Sequence, residues 1–128
     1  MIVDTSALVA VLRREEGADR LVEQLLGQED IHISAGTLIE ARIVAERDGG
    51  TAEFDELLEA IGVEVVPVDG RQAEIAFEGF RRFGKGRHRA GLNFGDLFAY
   101  ALARALDEPL LYTGADFVHT DVAAAVTP

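Results

Sequence analysis

The 128-residue chain has no cysteine, three histidines and a single lysine, Lys85. Each scarcity removes a class of chemistry. Without cysteine there is no disulfide, no thiolate metal site and no cysteine nucleophile. His32, His88 and His119 share none of the helical spacings that build a histidine cage, so zinc chemistry of that kind is not expected. Long apolar runs are also missing: none approaches the roughly 18 residues of a membrane span. The first residues lack the basic stretch and apolar core of a secretory leader. No membrane association and a cytoplasmic location are therefore expected. Positive charge is scarce as well. Twelve Lys+Arg against 23 Asp+Glu leave a formal net charge of −11, which argues against broad nonspecific nucleic-acid binding and favours metal ions or a basic protein partner.

What remains is the composition of one globular domain, 1–128, large enough for a real core and 48% apolar. The order of the elements is more informative. Met1-Ile2-Val3 reads as a strand ending at Asp4, followed by a turn and a helix from near Ser6 through Ala7 to Arg14. Helices are expected over about 18–26, 37–48, 51–61, 71–83 and 94–106. Strands are expected over 31–34, 63–68, with Pro67 marking an end or an edge, and 109–113. The tail 122–126 predicts a last short strand. Helix 94–106 is apolar nearly all round and should be central and buried. Strands alternating with helices specify a parallel sheet covered on both faces.

Four acids stand in contexts where surface acids are uncommon: Asp4 after an apolar strand, Glu40 early in a helix, Asp96 opening the most apolar helix, and Asp116 after strand 109–113. Each has an ordinary alternative. Asp4 could cap a helix, Glu40 could pair with a neighbouring base, Asp96 could be boxed with Asn93, and Asp116 could belong to a turn. Ser6 and Asn93 are expected to take the capping roles. Asp4, Glu40 and Asp116 all fall just beyond strands, on one rim of a parallel sheet, and Asp96 lies at a helix start able to face that rim. Such a cluster cannot remain ionised without a counter-charge. All-oxygen ligands point to Mg2+ or Mn2+, in enzymes where the metal activates water and steadies the leaving oxygen at phosphorus. No phosphate-binding Gly-x-x-x-x-Gly-Lys-Ser/Thr loop and no Gly-x-Gly-x-x-Gly after a strand compete with this reading. The basic residues Arg81, Arg82, Lys85, Arg87 and Arg89 gather within nine positions as a candidate RNA track; a solvated loop is the alternative.

Ile2-Val3-Asp4-Thr5-Ser6-Ala7-Leu8, Leu38-Ile39-Glu40-Ala41, Leu92-Asn93-Phe94-Gly95-Asp96-Leu97-Phe98-Ala99-Tyr100-Ala101, and Leu110 to Phe117 with Thr120-Asp121 resemble the PIN-domain ribonucleases, in particular the VapC toxins of type II toxin–antitoxin pairs. The resemblance covers essentially the whole chain. It implies a three-layer α/β/α fold with a mostly parallel sheet of four to five strands. It also implies a Mg2+- or Mn2+-dependent endoribonuclease that leaves 5′-phosphate and 3′-hydroxyl ends. By resemblance Asp4 and Asp96 are the principal metal ligands, Glu40 and Asp116 complete the acidic site, and Asp116 is a third metal ligand. Thr5, Ser6 and Thr113 match hydroxyl positions beside it, and Asp121 is a secondary orienting group. Ala115 departs from relatives that carry a polar or acidic residue there. A cognate antitoxin seated in an apolar groove of the early helices, a homodimer and larger toxin–antitoxin assemblies are implied too. A non-catalytic antitoxin- or RNA-binding module and a nuclease of single-stranded DNA are the rival readings.

Overall fold

Strand β1 (Ile2–Val3) is only two residues long, yet it lies inside the sheet with partners on both sides. The computed structural model describes residues 1–125. In it β1 pairs in parallel with β2 (His32–Ser34) and β4 (Leu110–Leu111), and β2 pairs in parallel with the edge strand β3 (Glu64–Val66). The order is β3-β2-β1-β4. The registers Ile2↔His32, Ile2↔Leu110 and Val3↔Leu111 are held by main-chain bonds from Ile2 N–H to Pro109 O (2.9 Å) and from Asp4 N–H to Leu111 O (3.0 Å).

Alternation assigns the side chains. Ile2 and Leu110 face one way and join Phe83, Leu92, Leu102 and Phe117. Met1, Val3 and Leu111 face the other and join Leu8, Leu25, Ile33 and Phe54. All four strand residues of β1 and β4 are at most 1% exposed, so burial of each stabilises the fold by about 1.5–3 kcal/mol. On the Val3 side lie α1 (Thr5–Leu12), α2 (Ala18–Leu26), α3 (Ala35–Arg47) and α4 (Thr51–Ile61). On the Ile2 side lie α5 (Gly70–Phe83) and α6 (Phe94–Leu106). The result is the expected three-layer α/β/α arrangement. Among the described residues all four strands are parallel, as expected for the sheet, and no helix is long and apolar enough to cross a membrane.

The differences from expectation have local causes. Helix α1 begins at Thr5, because Asp4 itself is its N-cap, and stops at Leu12; Arg14 then adopts a left-handed φ of 53°. Strand β3 ends at Val66, just before Pro67, and is indeed the edge, with Val65 45% exposed. The expected tail strand is reduced to a single parallel bridge, Leu110↔Ala124, and its last residue, Val126, lies outside the described residues. Helix α6 is buried at Asp96 and through its middle, Ala99 to Ala103. Its first residue, Phe94, is 77% exposed and lies edge-on to Phe98, ring centroids 5.1 Å apart. The packing of α6 is close: Tyr100 occupies the space a side chain at Gly79 of α5 would need, and Phe98 does the same at Gly36 of α3.

This topology selects a place for chemistry. The chain leaves β1 for β2 by helices on one face and returns to β4, on the other side of β1, by helices on the opposite face. The sheet therefore switches direction between β1 and β4, where the carboxyl ends of α/β strands open a crevice.

Candidate active site

Asp4 is the first residue beyond β1 and is 2% exposed. Its Oδ2 accepts the Ser6 N–H at 3.0 Å and so caps α1. Its Oδ1 is buried without any hydrogen-bond partner. An ionised carboxylate left this way is costly, and burial pushes the Asp4 carboxyl up to about 6, against hydrogen bonding from Ser6 and with help from the Glu40 charge. Ser6 does not cap α1, contrary to expectation. It is already the second helical residue, and its Oγ accepts the Thr113 N–H at 3.0 Å, while Thr113 Oγ1 donates to Ser6 O at 3.4 Å. The two hydroxyls thus tie the end of β4 to the start of α1, and the Ser6 hydroxyl keeps its own proton to donate.

Asp96 is the third residue of α6 and is 9% exposed. Its Oδ2 accepts the Asn93 N–H at 3.0 Å, and Asn93 Oδ1 accepts the Asp96 N–H at 3.0 Å, a reciprocal capping box. Asn93 is therefore the cap, and Asp96 completes it with one oxygen. Burial first, and then repulsion from Asp4, Asp116 and Glu40, lift the Asp96 carboxyl to about 7. Three acids, just beyond β1, on α3 and on the turn after β4, thus act on Asp96 at the start of α6, and Glu40 acts on Asp4 as well.

Glu40 is five residues into α3 and half-buried. Thr5 Oγ1 donates to Glu40 Oε1 at 2.6 Å. Glu40's carboxylate lies over Gly95, in the space a Cβ there would fill. Helical spacing would pair Arg42 with Glu46 on another side of α3, but each finds a partner elsewhere. Arg42 pairs with Asp55 of α4 at 2.7 Å, and Glu46 accepts the Thr51 hydroxyl at 2.6 Å. Asp116 stands exposed on the turn after β4, followed by the buried Phe117.

Asp121 is not at this rim. It accepts Tyr100 OH at 2.8 Å and Arg82 Nη1 at 3.0 Å, with Arg104 Nε at 3.7 Å. These bonds brace α5, α6 and the C-terminal segment together, so its orienting role is on the fold and not on the acids. The basic cluster divides accordingly. Arg81 and Arg82 belong to the last turn of α5, and Arg82 is held by Asp121 and stacks on Phe83 at 4.7 Å. Arg87 lies over Phe80 at 5.2 Å, Arg81 over Phe77 at 5.9 Å, and Lys85 and Arg89 are exposed. Lys85 borders an apolar groove of about 560 Å3 between α5 and α6, lined by Phe77, Phe80, Phe94 and Phe98.

Among the described residues no three acidic or histidine side chains stand close enough to form a finished metal cage. The donor chemistry nevertheless fits a hard divalent cation. Every donor is oxygen, two carboxyls are held high by burial and by neighbouring acids, and Asp4 Oδ1 is an acceptor with no donor. Mg2+ bound through one or two carboxylates retains water in its remaining positions and needs no closed cage.

The PIN domain model matches residues 1–123. The chain belongs to the PIN-domain family. Within it, this PIN domain is 41% identical over 131 residues to Ribonuclease VapC30 of Mycobacterium tuberculosis, covering all of both chains. It is 45% identical over 128 residues to Ribonuclease VapC of Mycolicibacterium smegmatis, covering 97% of this chain and 98% of the relative. It is thus a member of the VapC ribonucleases by descent. Its backbone matches M. tuberculosis VapC20, described as a sarcin–ricin loop cleaving toxin, with a TM-score of 0.74 at 17% identity over 97% of each chain. A toxin–antitoxin complex from Klebsiella pneumoniae contains a chain of the same fold, with a TM-score of 0.73 at 16% identity, covering 97% of this PIN domain and 95% of that chain.

Proposed function

We propose that this PIN domain is the toxin of a type II toxin–antitoxin pair, a divalent-metal-dependent endoribonuclease that hydrolyses RNA phosphodiester bonds at the β1/β4 crevice. The observation that carries the reading is the buried, partnerless Asp4 Oδ1 within mutual repulsion of Asp96, Glu40 and Asp116. Membership among proteins named VapC ribonucleases supports RNA as the substrate.

Asp4 and Asp96 would hold Mg2+ or Mn2+, with Asp116 as the third ligand. A bound ion supplies charge neutralisation at the carboxylates and polarisation of the scissile phosphate. The chain's own groups do the rest. Thr5 orients Glu40, which is placed to accept a proton from the attacking water. The Ser6–Thr113 link fixes the turn that carries Asp116. The water oxygen bonds to phosphorus as the P–O3′ bond breaks, leaving a 5′-phosphate and a 3′-hydroxyl.

The partner is a basic antitoxin segment. Its encounter is speeded by the net charge of −11. Its helix is received by the groove of about 530 Å3 lined by Val9, Leu12, Val44 and Ala45. A homodimer would cover the apolar groove between α5 and α6, and the protein works in the cytoplasm.

Labelled RNA incubated with the purified protein should be cut in Mg2+ or Mn2+ and left intact in EDTA. Single-stranded DNA assayed beside it should survive; cleavage of DNA alone would transfer the reading to a DNA nuclease, and cleavage of neither to a binding module. The RNA track is Lys85, Arg87 and Arg89, with Arg81 at its edge, because Arg82 is committed to Asp121. Replacing Arg87 and Arg89 by Ala should weaken RNA binding roughly tenfold and flatten its salt dependence by up to about two counterions. An unchanged salt slope would show that RNA runs elsewhere.

A further inference from the structure

Two residues meet at Glu40 in a way the acids alone do not explain. Thr5, the first residue of α1, donates its hydroxyl to Glu40 Oε1 at 2.6 Å. Gly95, the second residue of α6, leaves out the one atom that would collide with Glu40. A Cβ at 95 would overlap Oε2 and sit 2.9 Å from Oε1. Glycine here is not explained by backbone conformation, since Gly95 is absent from the positive-φ glycines. It is also a poor helix former. The space is used by the carboxylate of another helix.

We propose that Thr5 and Gly95 are positioning residues for the reaction: together they form a seat that holds the Glu40 carboxylate beside Asp96. The hydroxyl grips one oxygen, and the missing side chain makes room for the other. Because the hydroxyl donates to it, Oε1 is fixed as an acceptor. Oε2 is brought to the first turn of α6, where N–H groups favour negative charge. Neither residue touches the reacting atoms; both act through Glu40. The inference rests on the reading of the four acids as the catalytic site, and it deepens that reading by naming what places one of them.

The colliding group is the far end of a flexible side chain, so Gly95→Ala should be accommodated by displacement of Glu40, with the fold intact. The single-turnover rate of RNA cleavage should then fall between about tenfold and a hundredfold. In a Glu40→Ala background, where no carboxylate can be displaced, the same Gly95→Ala change should cost less than about twofold. Equal losses in both backgrounds, or no loss in the wild type, would overturn the seat.

A second readout does not depend on activity. Thr5→Val removes the hydroxyl and should lower the melting temperature of the metal-free protein by about 2 °C or more when residue 95 is Gly. That decrement should shrink by at least half when residue 95 is Ala or residue 40 is Ala, where the hydroxyl keeps only Thr37 O, at 3.5 Å, as acceptor, and Thr5→Ser should restore both melting temperature and rate. Additive decrements in this thermal cycle reject the seat even in an active ribonuclease. If the protein cuts no RNA but the thermal decrements couple as stated, the seat stands and the catalytic reading of the acids fails instead.

Discussion

Asp96→Asn is expected to lower RNA cleavage by a factor of about a thousand or more and, at the same time, to raise the melting temperature of the metal-free protein. The two effects have one source. Burial and the charges of Asp4, Asp116 and Glu40 hold the Asp96 carboxyl near 7, with the Asn93 N–H the opposing influence. Ionising it in the folded protein is therefore unfavourable compared with the unfolded chain, where an aspartate ionises near 4. Asparagine keeps an oxygen for the Asn93 N–H, so the capping box survives while the charge goes. After discounting for its partial contact with solvent, the relief at about pH 8 is about 1–2 kcal/mol, or about 3 °C or more. Asp4→Asn should behave alike, because asparagine caps helices as well as aspartate does. A variant that melts below the wild type, or that still cleaves at the wild-type rate, would contradict the site.

The second large effect is a pH dependence with a defined sign. Asp4 and Asp96 have folded-state values of about 6 and about 7, above those of the unfolded chain. Between about pH 4 and pH 7 the folded protein thus binds more protons than the unfolded one. Metal-free stability should fall as pH rises through that window, and the contribution of these two groups should be fully present only near its acid end. Mg2+ or Mn2+ competes with the same protons. The melting-temperature increase produced by millimolar metal should therefore be small near about pH 5 and grow to several degrees near about pH 8. Melting curves with metal and with EDTA across that range decide the matter. A shift that is constant or shrinks with pH would mean that the ions bind elsewhere, and Asp96→Asn should remove the shift altogether.

The rim of acids was legible because short apolar runs followed by an acid say where a strand stops, and a parallel sheet brings such stops to one edge. Asp4, Asp116 and the start of α6 were found in that way. The roles within the rim were not. Asp and Ser are almost equally good caps, so only the backbone, which turns helical at Thr5, could assign the cap to Asp4 and give Ser6 to Thr113. Asp121 looked like a site acid because its partners, Arg82 and Tyr100, lie 39 and 21 positions away and leave no local trace. Arg42 reaches across to α4 for the same reason. The vacancy at Gly95 had a faint signal, a helix-breaking residue in the first turn of an otherwise apolar helix. What filled it could be known only from α3. The exposed Phe94 shows the limit of periodicity: an apolar helix marks what can be buried and leaves its ends unassigned.

The brevity of β1 has a consequence for the order in which the fold can close. The amide of Asp4 is held by Leu111, and the hydroxyl of Ser6 receives Thr113 from 107 positions along the chain. A nascent polypeptide emerges N-terminus first, but a domain folds as a unit. Until β4 has been synthesised, the first acid has neither its sheet partner nor the last acid beside it. The crevice between β1 and β4 therefore closes only after β4 has been made, however early β1 emerges.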